Sequence, residues 1–572
     1  GVETPHIKSL AEEGVIFTRA FSNAAVCSAA RSTLITSAYG PRMASHYHRA
    51  EGKVTLTGQQ EMFPAYLRKA GYYTTNNAKE DYNFHKSDEV WDDSSNKATW
   101  RNRKEGQPFF HVFNIETTHE GRLHFSKKEM DSVNTVNDPN TVFVQPNHPQ
   151  TDLFSYTNAF YRDRISEMDV LVGEVIAQLK DDQLLENTII FYYGDHGGVL
   201  PGSKGYLNEN GLHVPLVIYV PEKYQELSVF KPGSSTDTFV SFVDFGATVL
   251  SIAGVEVPGW MDGKPFMGKN VSLKSIENRD ETFGYADRFD EKYDMVRSYR
   301  NGKFKYIRNF QPFNIDALMN EYRYRQMAYA EWHALYENGK LNKEQSRFFE
   351  PKLPEELYNL EEDPYEMNNL AGNQAHESTL KRMRHNLISW MKTLPDLSLY
   401  PEFFLLENAI QDPLTFGQNH KSDIETYIEI SNLSLLTFSK AKSKLKKYLN
   451  AKDRWKRYWA LIVCSSVGHQ AKEFTPEIKL IMESDPELIN RVRAAEFLGL
   501  TGIQNTSKVM SEALYQSKYE TEALLILNSI VLQKDYYQKY HFDIDLSRID
   551  KEVRENKLVM ERLNYLNPKN AN

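Results

Sequence analysis

The chain has 572 residues, 41% of them hydrophobic and 25% charged, with a formal net charge of −9. This length predicts two or three domains, and the composition is that of a soluble globular protein. The negative charge argues against nucleic acid as the main partner, because phosphate binding needs a basic surface, but it leaves room for a local anion site. No apolar run approaches the ~18 residues of a membrane helix, so we expect no membrane span.

The first region, residues 1–275, alternates apolar strand-like runs with amphipathic helices. This pattern predicts an α/β sheet covered by helices on both faces. A helical stripe of apolar residues covers 159–179, and the polar segment 120–150 indicates an extended loop. The clearest strands are 109–115, 188–193 and 215–220.

Two further regions follow. Residues 276–412 predict a small α+β subdomain, with strands near 283–286, 295–299, 304–307 and 356–358, a hairpin turn at Asn301-Gly302 and a helix at 378–393. Residues 413–572 read as wholly helical. The segment 458–468 is echoed 34 residues later at 492–502, which favours a HEAT-like array, although an ordinary helical appendage fits equally well.

One short motif carries the most chemical information. Cys27 is followed four residues later by Arg31, with only Ser28, Ala29 and Ala30 between them. If a helix begins here, its free N–H groups and the arginine would favour a negative charge at the sulfur. The chain has one other cysteine, Cys464, so a disulfide framework is excluded. Taken alone, the motif also fits a buried structural cysteine with a surface arginine nearby.

The block from Thr4 to Thr36 around this motif resembles the sulfatase family of the alkaline phosphatase superfamily. In that family the pattern C-x-[PA]-x-R marks a cysteine that is oxidised to formylglycine; Ala29 and Arg31 fill its last two defined positions. The stretch 357–371 also resembles the end of the sulfatase C-terminal subdomain. The resemblance implies an alkaline-phosphatase-like sandwich in residues 1–275, truncated at its N-terminus, a C-terminal α+β subdomain in 276–412, and the helical tail.

Several polar residues at predicted strand ends fit the same family, and ligands bind at the carboxyl ends of strands in open α/β sheets. Asp195 and His196 follow a strand and alone indicate either a turn or half of a cation site. By resemblance they bind calcium, together with the side chain made from Cys27. The resemblance also makes Lys79 and Lys204 sulfate-binding residues and His119 the general acid, a role natural for imidazole.

The sequence departs from the family in two places. Where sulfatases carry a histidine two residues after the Lys79 position, this chain has Asp81, so Asp81 or His85 would have to replace it. Sulfatases also carry a strand ending in two metal-binding acids, about twenty residues before the Thr4-Pro5 element. This chain begins at Gly1, so we expect it to hold only part of the calcium site.

The resemblance predicts a sulfuric ester or sulfamate hydrolase acting on a sulfated glycan. Residues 283–310 and 341–348 resemble bacterial relatives of N-sulfoglucosamine sulfohydrolase, which points to a heparan-type sugar with N- versus O-sulfate undecided. Arg288 and Arg297 are candidate ligands for sugar carboxylates or sulfates. Two alternatives stay open: a phosphomonoesterase or phosphodiesterase of the same superfamily, and a catalytically dead sulfatase-like binding protein.

The expected partners follow from this assignment. Besides the sulfated carbohydrate, they include a formylglycine-generating enzyme or an anaerobic sulfatase-maturating enzyme. By resemblance the protein is periplasmic or extracellular. The chain starts at a glycine rather than a methionine, and we expect its targeting segment to lie outside the sequence given.

Overall fold

The computed structural model describes residues 2–567. Its first region alternates short strands with helices, as the sequence predicts. The elements are α1 (Pro5–Glu13), β1 (Val15–Phe17), β2 (Ala20–Phe21), α2 (Cys27–Thr36), α3 (Phe63–Lys69), β3 (Tyr73–Asn77), β4 (Asp93–Ser94), β5 (Phe109–Phe113), α4 (Lys127–Ser132), α5 (Asp152–Asp181), β6 (Ile190–Tyr193), α6 (Glu209–Leu212), β7 (His213–Val214), β8 (Leu216–Tyr219), β9 (Ser234–Thr236), β10 (Val240–Ser241), α7 (Phe242–Ile252) and α8 (Leu273–Ile276).

These strands form three small sheets, two mixed and one parallel, in place of the single sheet that the sequence predicts. Their strand orders are β6-β8-β1-β9, β4-β3-β5 and β10-β2-β7. β5 pairs in parallel with β3, whereas β8 pairs antiparallel with both β1 and β6. The three predicted strands are present as β5, β6 and β8, each somewhat shorter than its apolar run.

β5 and β6 are the outermost strands of their sheets. Every residue of both strands is only partly buried, whereas all four residues of β8 are buried. Arg31 contacts Asn114, which follows β5, and Asp195, which follows β6. The carboxyl ends of two free sheet edges therefore lie within reach of one side chain.

Two local predictions need correction. Helix α5 spans Asp152–Asp181, well beyond the predicted 159–179, because Thr151 caps it by accepting a hydrogen bond from the Phe154 N–H. The expected loop 120–150 contains a short 3₁₀ turn at Glu120–Leu123 and helix α4. A capping box between Ser126 and Glu129 starts α4, a signal present in the sequence.

The second region is a four-stranded antiparallel sheet with helices beside it, as predicted. Gly302, in the left-handed region at φ +52°, makes the hairpin turn between its second and third strands. Helix α12 packs against those two strands. The elements are β11 (Glu281–Phe289), β12 (Lys292–Asn301), β13 (Phe304–Asn309), α9 (Glu321–Tyr324), α10 (Met327–Glu337), α11 (Lys343–Ser346), β14 (Glu355–Asn359) and α12 (Glu377–Thr393).

The third region is helical throughout the part that the structure describes. Helices α17, α19 and α21 pack in one row, with α16, α18 and α20 against them, which agrees with repeated helix pairs; the HEAT-like assignment stays a prediction. Helix α13 (Glu402–Asn408) leads into this region from the second one. The helices of the third region are α14 (Pro413–Asn419), α15 (Lys421–Ser431), α16 (Phe438–Leu449), α17 (Arg454–Val467), α18 (Thr475–Ser484), α19 (Leu488–Leu500), α20 (Ser507–Gln516), α21 (Glu520–Asp535), α22 (Lys551–Glu555) and α23 (Lys557–Leu566).

This helical region packs directly on the small sheet. The Trp459 indole N–H donates to the Leu399 carbonyl (2.8 Å), and Arg308 Nη2 donates to the Ser431 carbonyl (2.9 Å). One continuous set of buried apolar side chains joins the two regions. The boundaries near 275 and 412 stay predictions. Within residues 2–567, no helix has both the length and the apolar character that a bilayer crossing requires.

Candidate active site

Cys27 is the first residue of α2 and is fully buried. Val26 before it is extended (φ −142°), and the first helical hydrogen bond runs from the Ala30 N–H to the Val26 carbonyl. The N–H groups of the first turn are therefore left free and favour negative charge. The small side chains of Ala29 and Ala30 are fully buried, so α2 packs closely against the core. The Cys27 sulfur lies 3.5 Å from His196 Nε2.

The charges around Cys27 decide its ionisation. Burial and the neighbouring Asp195 both favour the neutral thiol. Lys204, His196 and a hydrogen bond from His119 outweigh them and lower the pKa of Cys27 well below its usual range. The position thus favours an anionic atom at the start of α2.

Asp195 and His196 follow strand β6 and face Cys27. Gly197 after them has no room for a Cβ, which would lie 2.2 Å from the Asn210 carbonyl oxygen. His196 Nδ1 donates to the Gly197 carbonyl (2.9 Å), so Nε2 is turned toward the sulfur. Burial opposes the charge of the Asp195 carboxylate, but Arg31, His196 and Lys79 hold its pKa far below the usual range.

Arg31 and Lys79 lie on the opposite side of this carboxylate. Arg31 Nε donates to Asp195 Oδ2 (2.8 Å), and its Nη1 donates to Asn114 Oδ1 (2.7 Å) and to the Lys79 carbonyl (3.3 Å). Lys79 Nζ lies 3.9 Å from Asp195 Oδ2 and 3.6 Å from Glu116 Oε1. Arg31 therefore joins α2 to the ends of β3, β5 and β6.

His119 and Lys204 form the remaining wall. The Gly121 N–H donates to His119 Nδ1 (3.2 Å), which places the proton of the neutral ring on Nε2. Lys204 Nζ lies 3.5 Å from that Nε2 and 3.4 Å from a carboxylate oxygen of the buried Glu120. Burial opposes the Lys204 charge, but Cys27 and Glu120 raise its pKa above the usual range.

The residues that could hold a metal ion are Cys27, Asp195 and His196, whose ligand atoms lie within 4.8 Å of one another. One carboxylate and one imidazole suit a divalent cation. Calcium takes six to eight oxygen ligands, of which this set supplies only the Asp195 carboxylate, and imidazole is a poor calcium ligand. Asp195 Oδ1 is turned toward this side, because Arg31 binds Oδ2. The described residues thus provide one side of a cation site.

Of the two candidates for the missing family histidine, only Asp81 lies at the site. Burial opposes its charge, but Arg49, His48 and Lys79 together lower its pKa, so it lies within electrostatic reach of the site. His85 is exposed, and its N–H bonds to the Val54 carbonyl (2.9 Å). The expectation that His85 reaches the site is wrong, because the loop holds it in pairing with residue 54 instead.

Arg288 and Arg297 are not substrate ligands, contrary to the sequence-based expectation. Arg288 is buried and bonds to both carboxylate oxygens of Glu402 (2.7 and 2.9 Å). Arg297 is fully buried between Asp287 and Asp396. These ion pairs tie the small sheet to the segment leading into the helical region, so both guanidinium groups are engaged within the fold.

Sequence reasoning missed three residues at the site. Asn114 directly follows β5, so the rule that led to His119 and Asp195 could also have found it. Glu120 is adjacent to His119, but nothing in the sequence shows that it is buried beside Lys204. Arg49 lies in a loop that carries no recognisable pattern.

The fold and the site define an α/β protein that binds a small anion. The strand ends surround a cysteine at a helix start with three basic side chains, those of Arg31, Lys79 and Lys204. A family model described as Sulfatase matches residues 1–255, and one described as N-sulphoglucosamine sulphohydrolase, C-terminal, matches residues 202–350.

An ulvan-active sulfatase of Formosa agariphila (strain DSM 15362 / KCTC 12365 / LMG 23005 / KMM 3901 / M-2Alg 35-1) is 33% identical over 80% of this chain and 82% of its own length. The chain therefore belongs to the sulfatase family and is a sulfuric ester hydrolase. Arylsulfatase K of Bos taurus is 24% identical over 60% of this chain and 57% of its own. A solved phosphonate monoester hydrolase of Agrobacterium radiobacter shares the fold, with a TM-score of 0.50 at 16% identity over 69% of this chain and 91% of that one. The predicted family, fold class and enzyme class are confirmed.

Proposed function

We propose that this sulfatase releases sulfate from a sulfated glycan and uses a formylglycine made from Cys27. The observation that supports this most directly is that Arg31, Lys79, His119 and Lys204 all lie around Cys27 at one site. Because the relative at 33% identity is active on ulvan by its name, ulvan is the first glycan to test.

Each side chain has a role that follows from its position. Lys79 and Lys204 approach the pocket from two sides and clamp the sulfate group electrostatically. Arg31 holds the Asp195 carboxylate and orients the side chain at position 27. His119 turns its Nε2 toward the site and would act from there as the general acid for the oxygen of the departing alcohol.

The proposed mechanism needs two groups besides the unmodified side chains, a formylglycine and a divalent cation. Formylglycine at position 27 would supply a hydrated aldehyde as the nucleophile. A divalent cation, for which we propose Ca²⁺, would supply positive charge next to the sulfate oxygens. Asp195, His196 and the side chain at position 27 would hold that cation.

We propose that further metal ligands come from an extended segment bound between the free edges of β5 and β6. Among residues 2–567, neither strand has a partner on its outer side, and the side chains of both are only partly buried. A strand ending in two acids, as the family resemblance implies, would place those acids beside Asp195. Sequencing the gene upstream of the Gly1 codon tests this: such a strand supports it, and a start codon at that point contradicts it.

The activity is tested by incubating protein co-expressed with a formylglycine-generating enzyme or an anaerobic sulfatase-maturating enzyme with ulvan, and measuring inorganic sulfate. We expect sulfate release that is lost on chelation, and a tryptic peptide in which Cys27 has become formylglycine. Phosphate esters are assayed in parallel. Hydrolysis of phosphate esters alone would favour the phosphatase alternative, and an unconverted Cys27 without any release would favour the binding-protein alternative.

A second substrate class has its own support. The match of residues 202–350 to the N-sulphoglucosamine sulphohydrolase C-terminal model favours a test of N-sulfated glucosamine, a heparan-type sugar, beside the O-sulfated glycan. Release from only one of the two decides between sulfamate and sulfate ester. We further propose a periplasmic or extracellular location, which fractionation of the native host followed by immunoblotting would check.

A further inference from the structure

Arg49 is anchored by its backbone next to the catalytic cysteine. Its N–H donates to the side chain of Ser28, the residue after Cys27 (2.7 Å), and its carbonyl accepts from Arg288 Nη2 (3.3 Å). Arg49 has a φ of +49°, in the left-handed region that non-glycine residues rarely adopt. Such a conformation persists only where surrounding contacts impose it, and it concentrates at ligand sites.

The side chain of Arg49 is oriented by Asp81. Arg49 Nε donates to Asp81 Oδ1 (3.1 Å) and Nη2 donates to Oδ2 (3.3 Å), a two-point pairing that fixes the plane of the guanidinium. Asp81 itself has a φ of +56°. The Asp81 side chain is 15% exposed, whereas that of Arg49 is 56% exposed. The pair thus presents the arginine, rather than the carboxylate, to solvent.

The outer edge of this guanidinium is free. Among the residues that the structure describes, Arg49 Nη1 makes no hydrogen bond, and an arginine fork has five donor hydrogens. Burial opposes the Arg49 charge, but Asp81, Asp290 and Cys27 raise its pKa, so the guanidinium lies within the electrostatic reach of the cysteine.

The acids around Arg49 are already engaged. Asp290 accepts from His48 Nδ1 (2.9 Å), and Glu51 accepts from the Asn556 amide (3.2 Å). Asp81 is held on the inner edge of Arg49, where Lys79 also lowers its pKa against the effect of burial. An anion that approaches from solvent therefore meets the open donors of Arg49 near Cys27.

Resting on the sulfatase activity proposed above, we propose that Arg49, held by Asp81, binds a second anionic group of the glycan, a carboxylate or a further sulfate. The enzyme would then select sugars that carry another acidic group near the sulfate ester under attack. The planar fork of arginine matches both groups through two parallel N–H donors. Asp81, the residue in the place of the family histidine, acquires a positioning role in substrate recognition.

Three defined substrates test this assignment: a monosulfated sugar with no other charged group, the same sugar with a second sulfate, and a sulfated disaccharide with a uronate carboxylate. The quantity measured is kcat/KM for each doubly anionic substrate divided by kcat/KM for the singly anionic one. This ratio cancels differences in formylglycine content. We expect Arg49→Met to lower it by about 10- to 100-fold for at least one substrate, since hydrogen bonds to charged groups are worth that much. Arg49→Lys should fall in between.

The matched control is Arg101→Met. Arg101 is also an exposed arginine, 49% accessible, paired with an aspartate (Asp182, 2.7 Å). We expect its ratios to equal those of wild type. Whichever doubly anionic substrate responds to Arg49→Met identifies the second group as sulfate or carboxylate. Thermal melts establish that each variant is folded.

Two results distinguish a failure of the proposed function from a failure of the Arg49 assignment. If wild-type protein releases no sulfate from any of the three substrates, the proposed function fails. If it does release sulfate and Arg49→Met leaves both ratios unchanged, only the Arg49 assignment is overturned. Titration of each doubly anionic sugar into Cys27→Ala protein gives a readout without turnover. Adding Arg49→Met should raise Kd by a similar factor for the sugar whose kcat/KM ratio responds.

Discussion

The two cysteines of the chain are both fully buried in helices, yet their surroundings are opposite. Cys464 lies inside α17 among apolar side chains, and burial alone raises its pKa far above the usual range. Cys27 is equally buried, but Lys204, His196 and His119 reverse that effect.

The difference shows that burial does not decide whether a cysteine is inert. What matters is the charge that the fold places around the sulfur. Cys464 behaves as an ordinary buried cysteine and packs as a small apolar residue. Cys27 is as deeply buried as Cys464, but it lies at the start of a helix and faces polar groups from three other segments of the chain.

The largest effect is expected on replacing the sulfur itself. In a bacterial host whose maturation machinery modifies only cysteine, Cys27→Ser should lower turnover by at least about three orders of magnitude, since the nucleophile is lost. Cys464→Ser is the matched control, because its hydroxyl has the Ala460 carbonyl one helical turn back as an acceptor; we expect turnover near wild type. Sulfate release at a near-normal rate by Cys27→Ser would refute the formylglycine mechanism.

A second test makes the surroundings of Cys27 more like those of Cys464. Lys204→Met removes the strongest charge that favours an anion at position 27, and we expect kcat/KM to fall by about 100- to 1,000-fold. The substitution also leaves Glu120 buried without its ion-pair partner, at a cost of about 3–5 kcal/mol in unfolding free energy.

The double variant Lys204→Met/Glu120→Gln separates these two effects. Glutamine keeps the shape of Glu120 without its charge, so chemical denaturation should show most of the stability restored. Turnover should stay low, because the sulfate clamp is still absent. Recovery of turnover together with stability would show that Lys204 is a structural lysine and not a substrate ligand.

The contrast also shows how far sequence reasoning reached. The small residues after Cys27 and the polar residues at strand ends left other interpretations open; the resemblance to sulfatases turned them into predictions of the fold and of Asp195 and His119 as site residues. The burial of individual arginines was harder to predict. The sequence does not show whether a guanidinium faces solvent or pairs with a carboxylate about 100 residues away along the chain. Arg297 pairs with Asp396 and Arg288 with Glu402, partners supplied by tertiary folding alone. Arg49, in contrast, faces the site from a loop without any pattern.

The smallest expected effect is on the pH dependence of stability, and the two cysteines should give opposite signs. An unfolded thiol has a pKa of about 8.5. The pKa of Cys464 is raised in the folded state, so this residue does not change the free energy of unfolding below pH 8.5. Above that pH the free energy of unfolding should fall by about 1.4 kcal/mol per pH unit, because only the unfolded state ionises. Cys27, whose folded pKa is lowered, contributes stability that is present above about pH 8.5 and is lost as pH falls toward the folded pKa.

Urea unfolding between pH 6 and pH 10 measures both effects, on protein made without maturation enzymes and with a chelator present. Relative to wild type, Cys464→Ala should become more stable as pH rises above the unfolded thiol pKa. Cys27→Ala should become less stable than wild type as pH rises toward that pKa from below. Parallel curves for the two variants would contradict the contrast, since they would mean that the charges around Cys27 do not offset its burial. Opposite slopes would establish that Lys204, His196 and His119 make position 27 an anion site before any oxidation occurs.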